Sequence, residues 1–124
     1  MDLIRRQVMI GAAALAVAPA VARAQGNGMY GLIGKMLAQA GQRDALAAIM
    51  LTNTQDMPGC LSYIVANDPT DENAIWITEV WTDQASHHAS LQLPQVQEAI
   101  RQARPIIAGF GERFETQPLG GVGL

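Results

Sequence analysis

Apolar residues in the first part of the chain follow two successive spacings. In residues 29–38, Tyr30, Leu32 and Met36 point to one side of an extended chain, which predicts a first strand. Residues 42–55 then place apolar side chains three and four positions apart, which is the spacing of an amphipathic helix. The predicted inner face of that helix is formed by Leu46, Ile49, Met50 and Asn53.

Two strongly apolar segments follow, and a polar loop that contains Pro69 separates them. Residues 60–67 and 74–81 are rich in β-branched and aromatic residues, so we expect them to pair as a hairpin. Because the side chains of a strand alternate between the faces of a sheet, the second segment has two distinct faces. One face carries Trp76, Thr78 and Val80, and the other carries Ile77, Glu79 and Trp81.

The last part of the chain predicts two helices and a strand. Asp83 has the side chain of an N-cap for a short helix over residues 85–91. Pro94 is placed to begin a longer helix, and Pro105 to kink or end it, because proline lacks an N–H and clashes with the preceding turn. A final strand is predicted over residues 111–118. The apolar face of the longer helix is predicted to hold Val96, Ala99, Ile100, Ala103 and Ile107.

The predicted order, β-α-β-β-α-β, is that of the ferredoxin-like α+β fold, a four-stranded antiparallel sheet with helices on one face. Both faces of the third strand carry a tryptophan, Trp76 on one and Trp81 on the other, so both faces are expected to be covered. Helices cover one face, and a second copy of the chain is the simplest cover for the other. We therefore expect a homodimer, which also suits a small domain without disulfides.

Residues 1–24 have the features of an export signal rather than of a folded domain. Arg5 and Arg6 precede a short apolar run, and the segment ends in the small-residue pattern of a cleavage site at Ala24. The run is shorter than the ~20 residues that a membrane-spanning helix needs. The paired arginines resemble a twin-arginine signal, with general secretion as the alternative. We therefore expect a periplasmic or secreted domain over residues 25–124.

The charge of residues 25–124 argues against a nucleic-acid partner. This part has five basic and ten acidic residues, a formal net charge of −5, and no basic run. Its single cysteine, Cys60, cannot form an internal disulfide and is expected to be a small core residue. On a helix, the adjacent His87 and His88 would point about 100° apart, which disfavours joint binding of one metal ion. No metal site is therefore expected.

Three segments of the chain carry a resemblance to a known family. They are MPGCLSY at residues 57–63, ITEVW at 77–81 and HHASLQLPQVQEAI at 87–100. Together with the order of elements, they resemble the antibiotic biosynthesis monooxygenase family of dimeric α/β-barrel proteins, and in particular its quinol monooxygenase members. The resemblance spans roughly residues 29–116.

This resemblance implies a fold, an activity and two substrates. Family members pair two sheets face to face and keep an apolar cleft between the sheet and the helices. Better-known members oxidise phenols or quinols with molecular oxygen and use no metal, flavin or haem, because the deprotonated substrate itself donates an electron to oxygen. The resemblance therefore implies a small aromatic substrate, molecular oxygen and no cofactor. The protein would supply an apolar pocket, a proton acceptor and hydrogen bonds to the anion.

One position departs from the family pattern. Many members carry a histidine nine residues after the tryptophan, where this chain has Ser90, and His87 and His88 follow Trp81 by six and seven residues instead. Helical spacing alone does not decide which histidine faces the cleft. We favour His87 as the catalytic base, because it shares a face with Ser90 and a neutral imidazole accepts a phenol proton near pH 7. The alternative is a partly exposed His87 without a role in catalysis.

Five further residues are candidates for contact with the substrate. Trp81 would stack on the aromatic ring or serve as plain core, and Glu79 would be a structural acid or a second proton acceptor. Asn53 would aim its amide into the cleft or simply end its helix. Tyr63 offers a phenol hydroxyl, although the sequence does not fix its strand register. Ser90 stands where the family has its histidine.

Two other functions are compatible with the same sequence. The first is a dimeric stress-response or binding module that holds a small hydrophobic molecule without catalysis. The second is a haem-degrading relative, since that branch shares the fold and uses a histidine to hold iron, although the histidine spacing here departs from it. Oxygen uptake with quinols separates the first alternative from a monooxygenase, and a shift in haem absorbance identifies the second.

Overall fold

The computed structural model describes residues 28–124, and the export signal predicted over residues 1–24 lies outside them. The strands stand in the order β2-β3-β1-β4 and all neighbouring strands are antiparallel, so the predicted ferredoxin-like fold is confirmed. Between residues 28 and 124, no helix is long and apolar enough to cross a membrane. The elements in chain order are β1 (Tyr30–Ala38), α1 (Arg43–Asn53), β2 (Cys60–Asn67), β3 (Ala74–Trp81), α2 (Gln84–Ser90), α3 (Pro94–Ala103) and β4 (Ile107–Thr116).

The hairpin and the start of α2 agree with the sequence analysis. β2 and β3 have the predicted bounds and pair with each other. Asp83 caps α2 as predicted, since its Oδ1 accepts a hydrogen bond of 2.7 Å from the backbone N–H of Ser86. This cap fixes where α2 begins and therefore which of its side chains turn toward the sheet.

β4 begins earlier than the sequence analysis predicts. α3 ends at Ala103, and Ile107 is the first residue of β4, where it pairs with Ala38. The prediction of Ile107 on the helix is wrong because Pro105 stops the helix, while the four-residue spacing from Ala103 happens to continue across the break. A register shift in β4 pairs Phe110 with Met36 and Arg113 with Gly34, which brings both β4 side chains to the helix-covered side.

Two apolar clusters fill the space between the sheet and the helices. The first joins α1 and α3 to the middle of the sheet, and the second lies at the end of the sheet where β1 begins and β3 ends. The buried members of the first are Ala38, Leu46, Met50, Ile75, Ile77, Ala99 and Ala103, and those of the second are Tyr30, Leu32, Met57 and Trp81.

The other side of the sheet, here called the open face, carries a row of side chains across all four strands. Ile64, Thr78, Ile33 and Phe114 lie side by side in that row. Ile64 is 54% exposed and Phe114 is 52% exposed, so the row is uncovered in the single chain. Cover by a second copy stays a prediction.

Candidate active site

α2 holds His87 over the ends of β1 and β3. The imidazole makes an edge contact with Trp81, with ring centroids 5.5 Å apart, and a tilted contact with Tyr30 at 5.3 Å. The neighbouring His88 is exposed. This orientation agrees with the one favoured from the sequence, and the role of His87 as a base stays a prediction.

Trp81 is a core residue that also holds a carboxylate. Its side chain is only 1% exposed, and its Nε1–H donates a 2.9 Å hydrogen bond to Oε1 of Glu79. Of the two interpretations offered for Trp81, plain core fits this burial. A substrate ring therefore has no free indole face to stack on, and the indole instead fixes the position of Glu79.

Glu79 and His87 face each other at low exposure. Nε2 of His87 lies 3.8 Å from Oε1 of Glu79, with His87 15% and Glu79 14% exposed. Burial raises the pKa of the Glu79 carboxyl, while the hydrogen bond from Trp81 and the charge of Arg113 lower it. Burial lowers the pKa of His87, helped by the charges of Arg113 and His88 and opposed by Glu115. The two pKa values are thus moved toward each other.

Two cavities flank this pair. The inner cavity has a volume of about 230 Å³ and lies against the helix-covered side of β1, β3 and β4. The outer cavity has a volume of about 510 Å³ and opens beside α2. The inner cavity is lined by Leu32, Met36, Ile77, Phe110, Glu79 and Arg113, among others, and the outer cavity by Tyr30, His87, His88, Leu91, Arg113 and Glu115, among others.

Glu79 therefore lines the inner cavity and His87 lines the outer one, while Arg113 lines both. The inner cavity is mostly apolar, and the charged residues in its lining are Lys35, Glu79, Glu112 and Arg113. The outer cavity has a mixed polar and apolar lining and is open to solvent beside His87. The two side chains, Glu79 and His87, approach to 3.8 Å between the cavities.

Three residues of this site were not predicted from the sequence. Tyr30 donates its hydroxyl to Oε2 of Glu115 at 2.5 Å, and Arg113 comes from the strand whose start was misplaced. Burial raises the pKa of Tyr30, and the bond to Glu115 raises it further. The sequence does indicate Tyr30, because strand alternation places it on the same face of β1 as Leu32. It does not indicate Arg113 and Glu115, because they reach the site only through the pairing of β4 with β1.

The other predicted substrate-binding residues have different roles. Asn53 ends α1, donates its amide to the carbonyl of Ile49 at 2.8 Å, and lines neither cavity, so its proposed place at the cleft wall is not supported. Ser90 is buried, and its hydroxyl donates to the carbonyl of His87 at 2.6 Å, which stabilises α2 rather than facing a ligand.

Tyr63 lies directly opposite Glu79 on β2 and packs against both apolar clusters. Burial raises its pKa well above the ordinary range, helped by the charges of Glu79 and Cys60, so its hydroxyl stays protonated. Tyr63 lines neither cavity and lies beside Glu79 on the neighbouring strand. Among residues 28–124 there is no group of three or more His, Cys, Asp or Glu side chains placed to hold a metal ion.

Comparisons with known proteins agree on one family. The sequence profile of the antibiotic biosynthesis monooxygenases matches residues 29–102. The crystal structure of a proposed antibiotic biosynthesis monooxygenase from Chloroflexus aurantiacus J-10-fl is 62% identical, with a TM-score of 0.73, over 75% of this chain and 95% of that one. The protein PA3566 from Pseudomonas aeruginosa is 19% identical with a TM-score of 0.66, over 75% and 96% of the two chains, which shows a shared fold.

A curated relative matches over a shorter stretch. The uncharacterised protein sll1783 from Synechocystis is 28% identical over 64 residues, which are 52% of this chain. The match spans 44% of that protein's own length.

Proposed function

The chain belongs to the antibiotic biosynthesis monooxygenase family, and we propose that it oxidises a quinol or a related phenol with molecular oxygen, without a metal or organic cofactor. One observation carries this proposal. The Glu79 carboxylate lies at the wall of an apolar cavity, 3.8 Å from an imidazole that lines the neighbouring cavity, and the pKa values of the two groups are shifted toward each other. Such a pair takes up the proton whose removal makes a phenol or quinol electron-rich enough to reduce oxygen.

The cavity supports a compact substrate. Pockets for drug-sized ligands have volumes of roughly 300–1,000 Å³, and the inner cavity has about 230 Å³. Leu32, Met36, Ile77 and Phe110 provide apolar contacts for one or two aromatic rings. Arg113 stands at the wall where the substrate oxygen becomes negative, and a cation there stabilises the anion.

The reaction balances with the quinol as the only electron donor. The quinolate passes one electron to oxygen, and the two radicals join at a ring carbon that still carries hydrogen. The resulting peroxide is protonated and then loses water to leave a carbonyl at that carbon. One oxygen atom thus enters the ring, the other leaves as water, and the quinol becomes a hydroxyquinone. The enzyme's part is to remove one proton and to return it to the peroxide.

Isotope labelling tests this proposal. Hydroquinone and 1,4-dihydroxynaphthalene are incubated with the protein under ¹⁸O₂, and the products are analysed by mass spectrometry. We expect one labelled oxygen in the ring of a hydroxyquinone, because autoxidation alone yields the quinone with no oxygen inserted. Unlabelled quinone at the rate of a protein-free control would contradict the proposal.

We also propose that two copies pair through the open face. Its exposed Ile64 and Phe114 are the kind of apolar side chains that a partner sheet covers. Light scattering at micromolar concentration should give twice the chain mass, and Phe114→Glu should halve it. The matched control is Leu51→Glu on α1, which is 50% exposed and away from this face. A monomeric wild type would contradict this assembly.

We further propose that the protein is exported before it acts. The support is the predicted signal in residues 1–24, with Arg5 and Arg6 at its start. Cell fractionation should find the protein outside the cytoplasm. Replacement of both arginines by lysine should retain it inside if the twin-arginine route is used. Cytoplasmic wild-type protein would contradict export.

A further inference from the structure

We propose that Glu79, rather than His87, takes the proton from the substrate, and that His87 receives this proton from Glu79 and exchanges it with water in the outer cavity. This inference rests on the proposed function and assigns the order of proton transfer within it. His87 would then be a relay residue behind the group that contacts the substrate.

The lining of the two cavities separates the two groups. Glu79 lines the apolar inner cavity, where Leu32, Met36 and Phe110 would hold an aromatic ring. His87 lines the solvent-open outer cavity. A substrate hydroxyl in the inner cavity therefore meets the carboxylate first, and water in the outer cavity meets the imidazole.

The geometry of Glu79 suits a proton acceptor held in place. Trp81 donates to Oε1 at 2.9 Å and so fixes the carboxylate plane. Nε2 of His87 lies 3.8 Å from the same oxygen, and catalytic hydrogen bonds of this kind are often long before the substrate binds. A small rotation of either side chain, or one bridging water, connects the two groups.

The surroundings of both groups match their acidities. Glu79 faces Trp81, His87 and Arg113, and Tyr63 and Cys60 approach it from β2. Burial favours the protonated carboxyl and the neutral imidazole, so the ordinary difference between their pKa values narrows. A narrower difference lowers the free-energy cost of moving a proton between the two groups in either direction.

The surroundings of His87 favour its neutral form, which can accept a proton. It faces Tyr30 of β1, Glu79 of β3, and Arg113 and Glu115 of β4. His88 is the next residue of its own helix. The relay requires a neutral His87 with its hydrogen on Nδ1, which leaves Nε2, 3.8 Å from Oε1 of Glu79, free to accept the proton. The substrate O–H bond breaks, its proton binds Glu79, and the Glu79 proton passes to Nε2. The same path returns the proton when the peroxide accepts it.

Binding of 4-nitrophenol tests the order of transfer without turnover, because its anion absorbs visible light and the free phenol does not. Below the solution pKa of the probe, the wild type should bind it as the anion. Glu79→Gln, which still accepts from Trp81, should lower the ratio of bound anion to bound neutral phenol about tenfold, equal to a shift of one unit in the pKa of the bound probe. His87→Gln should retain most of the bound anion. The control Asp68→Asn should behave as wild type.

Chemical rescue tests the role of His87 with the ¹⁸O₂ assay. His87→Ala should regain turnover with added imidazole, because the outer cavity is open to solvent, while Glu79→Ala should not. Loss of the bound anion in His87→Gln with its retention in Glu79→Gln would overturn the relay. So would a wild type that binds only neutral probe. Either result leaves the monooxygenase proposal to the labelling experiment, which tests it separately.

Discussion

Trp76 and Trp81 lie on opposite faces of β3, and each donates its indole N–H to a carboxylate at 2.9 Å. Asp68, the partner of Trp76, also accepts from the backbone and the hydroxyl of Thr70 at 2.8 and 2.9 Å, and Nζ of Lys35 lies 3.4 Å away. Glu79, the partner of Trp81, instead faces the imidazole of His87, whose lowered pKa favours the neutral form.

The two carboxyls consequently differ in acidity. The backbone bond from Thr70, the indole and the threonine hydroxyl lower the pKa of Asp68 far below its ordinary value. Burial raises the pKa of Glu79 because one indole does not offset it. An indole partner therefore does not by itself make a carboxylate structural. The other donors around it decide whether it holds the fold or exchanges protons.

The largest expected effect separates the two carboxyls by turnover. Glu79→Gln should lower the rate of hydroxyquinone formation by ~10²–10⁴-fold, the usual worth of general acid–base help. Asp68→Asn should leave the rate within a few-fold of wild type, since Asp68 lines neither cavity and reaches the inner one only through its ion pair with Lys35. Steady-state kinetics of both variants, with circular dichroism as a folding check, measures this. Equal losses of rate in the two variants would contradict the difference in role between Glu79 and Asp68.

The second effect concerns stability. Trp81→Phe leaves the Glu79 carboxyl without its indole donor, and an unsatisfied buried acceptor costs about 1–3 kcal/mol. Trp76→Phe should cost less, because Asp68 keeps Thr70 and Lys35 as partners. Urea unfolding of the two variants gives both free energies. A greater loss for Trp76→Phe would show that the donors around Asp68 are not interchangeable.

The third effect is a pH dependence of opposite sign. The raised pKa of Glu79 means that its contribution to folding is present below the ordinary value of 4.5 and lost as pH rises, so Glu79→Gln should gain stability relative to wild type above pH 4.5. The lowered pKa of Asp68 gives a contribution present above 3.8 and lost at lower pH. Asp68→Asn should therefore approach wild type as pH falls. Denaturant titrations across pH 3–7 check the sign of both trends.

The smallest expected effect concerns the cation beside Trp76 and Asp68. Lys35 lies over the Trp76 ring at 5.6 Å and beside Asp68, so Lys35→Met removes a cation from both. We expect a loss of about 0.5–1 kcal/mol in the free energy of unfolding. Added salt should weaken the wild type toward the variant, since a partly exposed charge is screened. No salt dependence of the difference would contradict an electrostatic origin.

The sequence predicts the hairpin well because its strands are dense in β-branched and aromatic residues, and it predicts the α2 cap because Asp83 stands directly before the helix. It predicts which histidine turns inward only through the shared face of His87 and Ser90. These features depend on neighbours within a few positions. The same local patterns misplace the start of β4, because Pro105 ends α3 without disturbing the apolar spacing to Ile107.

The composition of the site depends on distant pairings that no local pattern contains. Arg113 and Tyr30 meet His87 only because β4 lies beside β1 and carries a register shift. The burial of Trp81 likewise depends on how α2 packs on the strand ends, so the sequence leaves core and stacking as equal interpretations. For the same reason, the sequence does not decide between a structural and a proton-accepting role for Glu79.

The most direct test of the contrast between the two carboxyls is an NMR titration of their ¹³C-labelled side chains, assigned with Asp68→Asn and Glu79→Gln. The account predicts that Asp68 titrates below its ordinary value of 3.8 and Glu79 above its ordinary value of 4.5. A Glu79 that titrates at or below 4.5 would mean that the donors around its carboxylate offset its burial, and it would contradict its assignment as the group that takes the substrate proton.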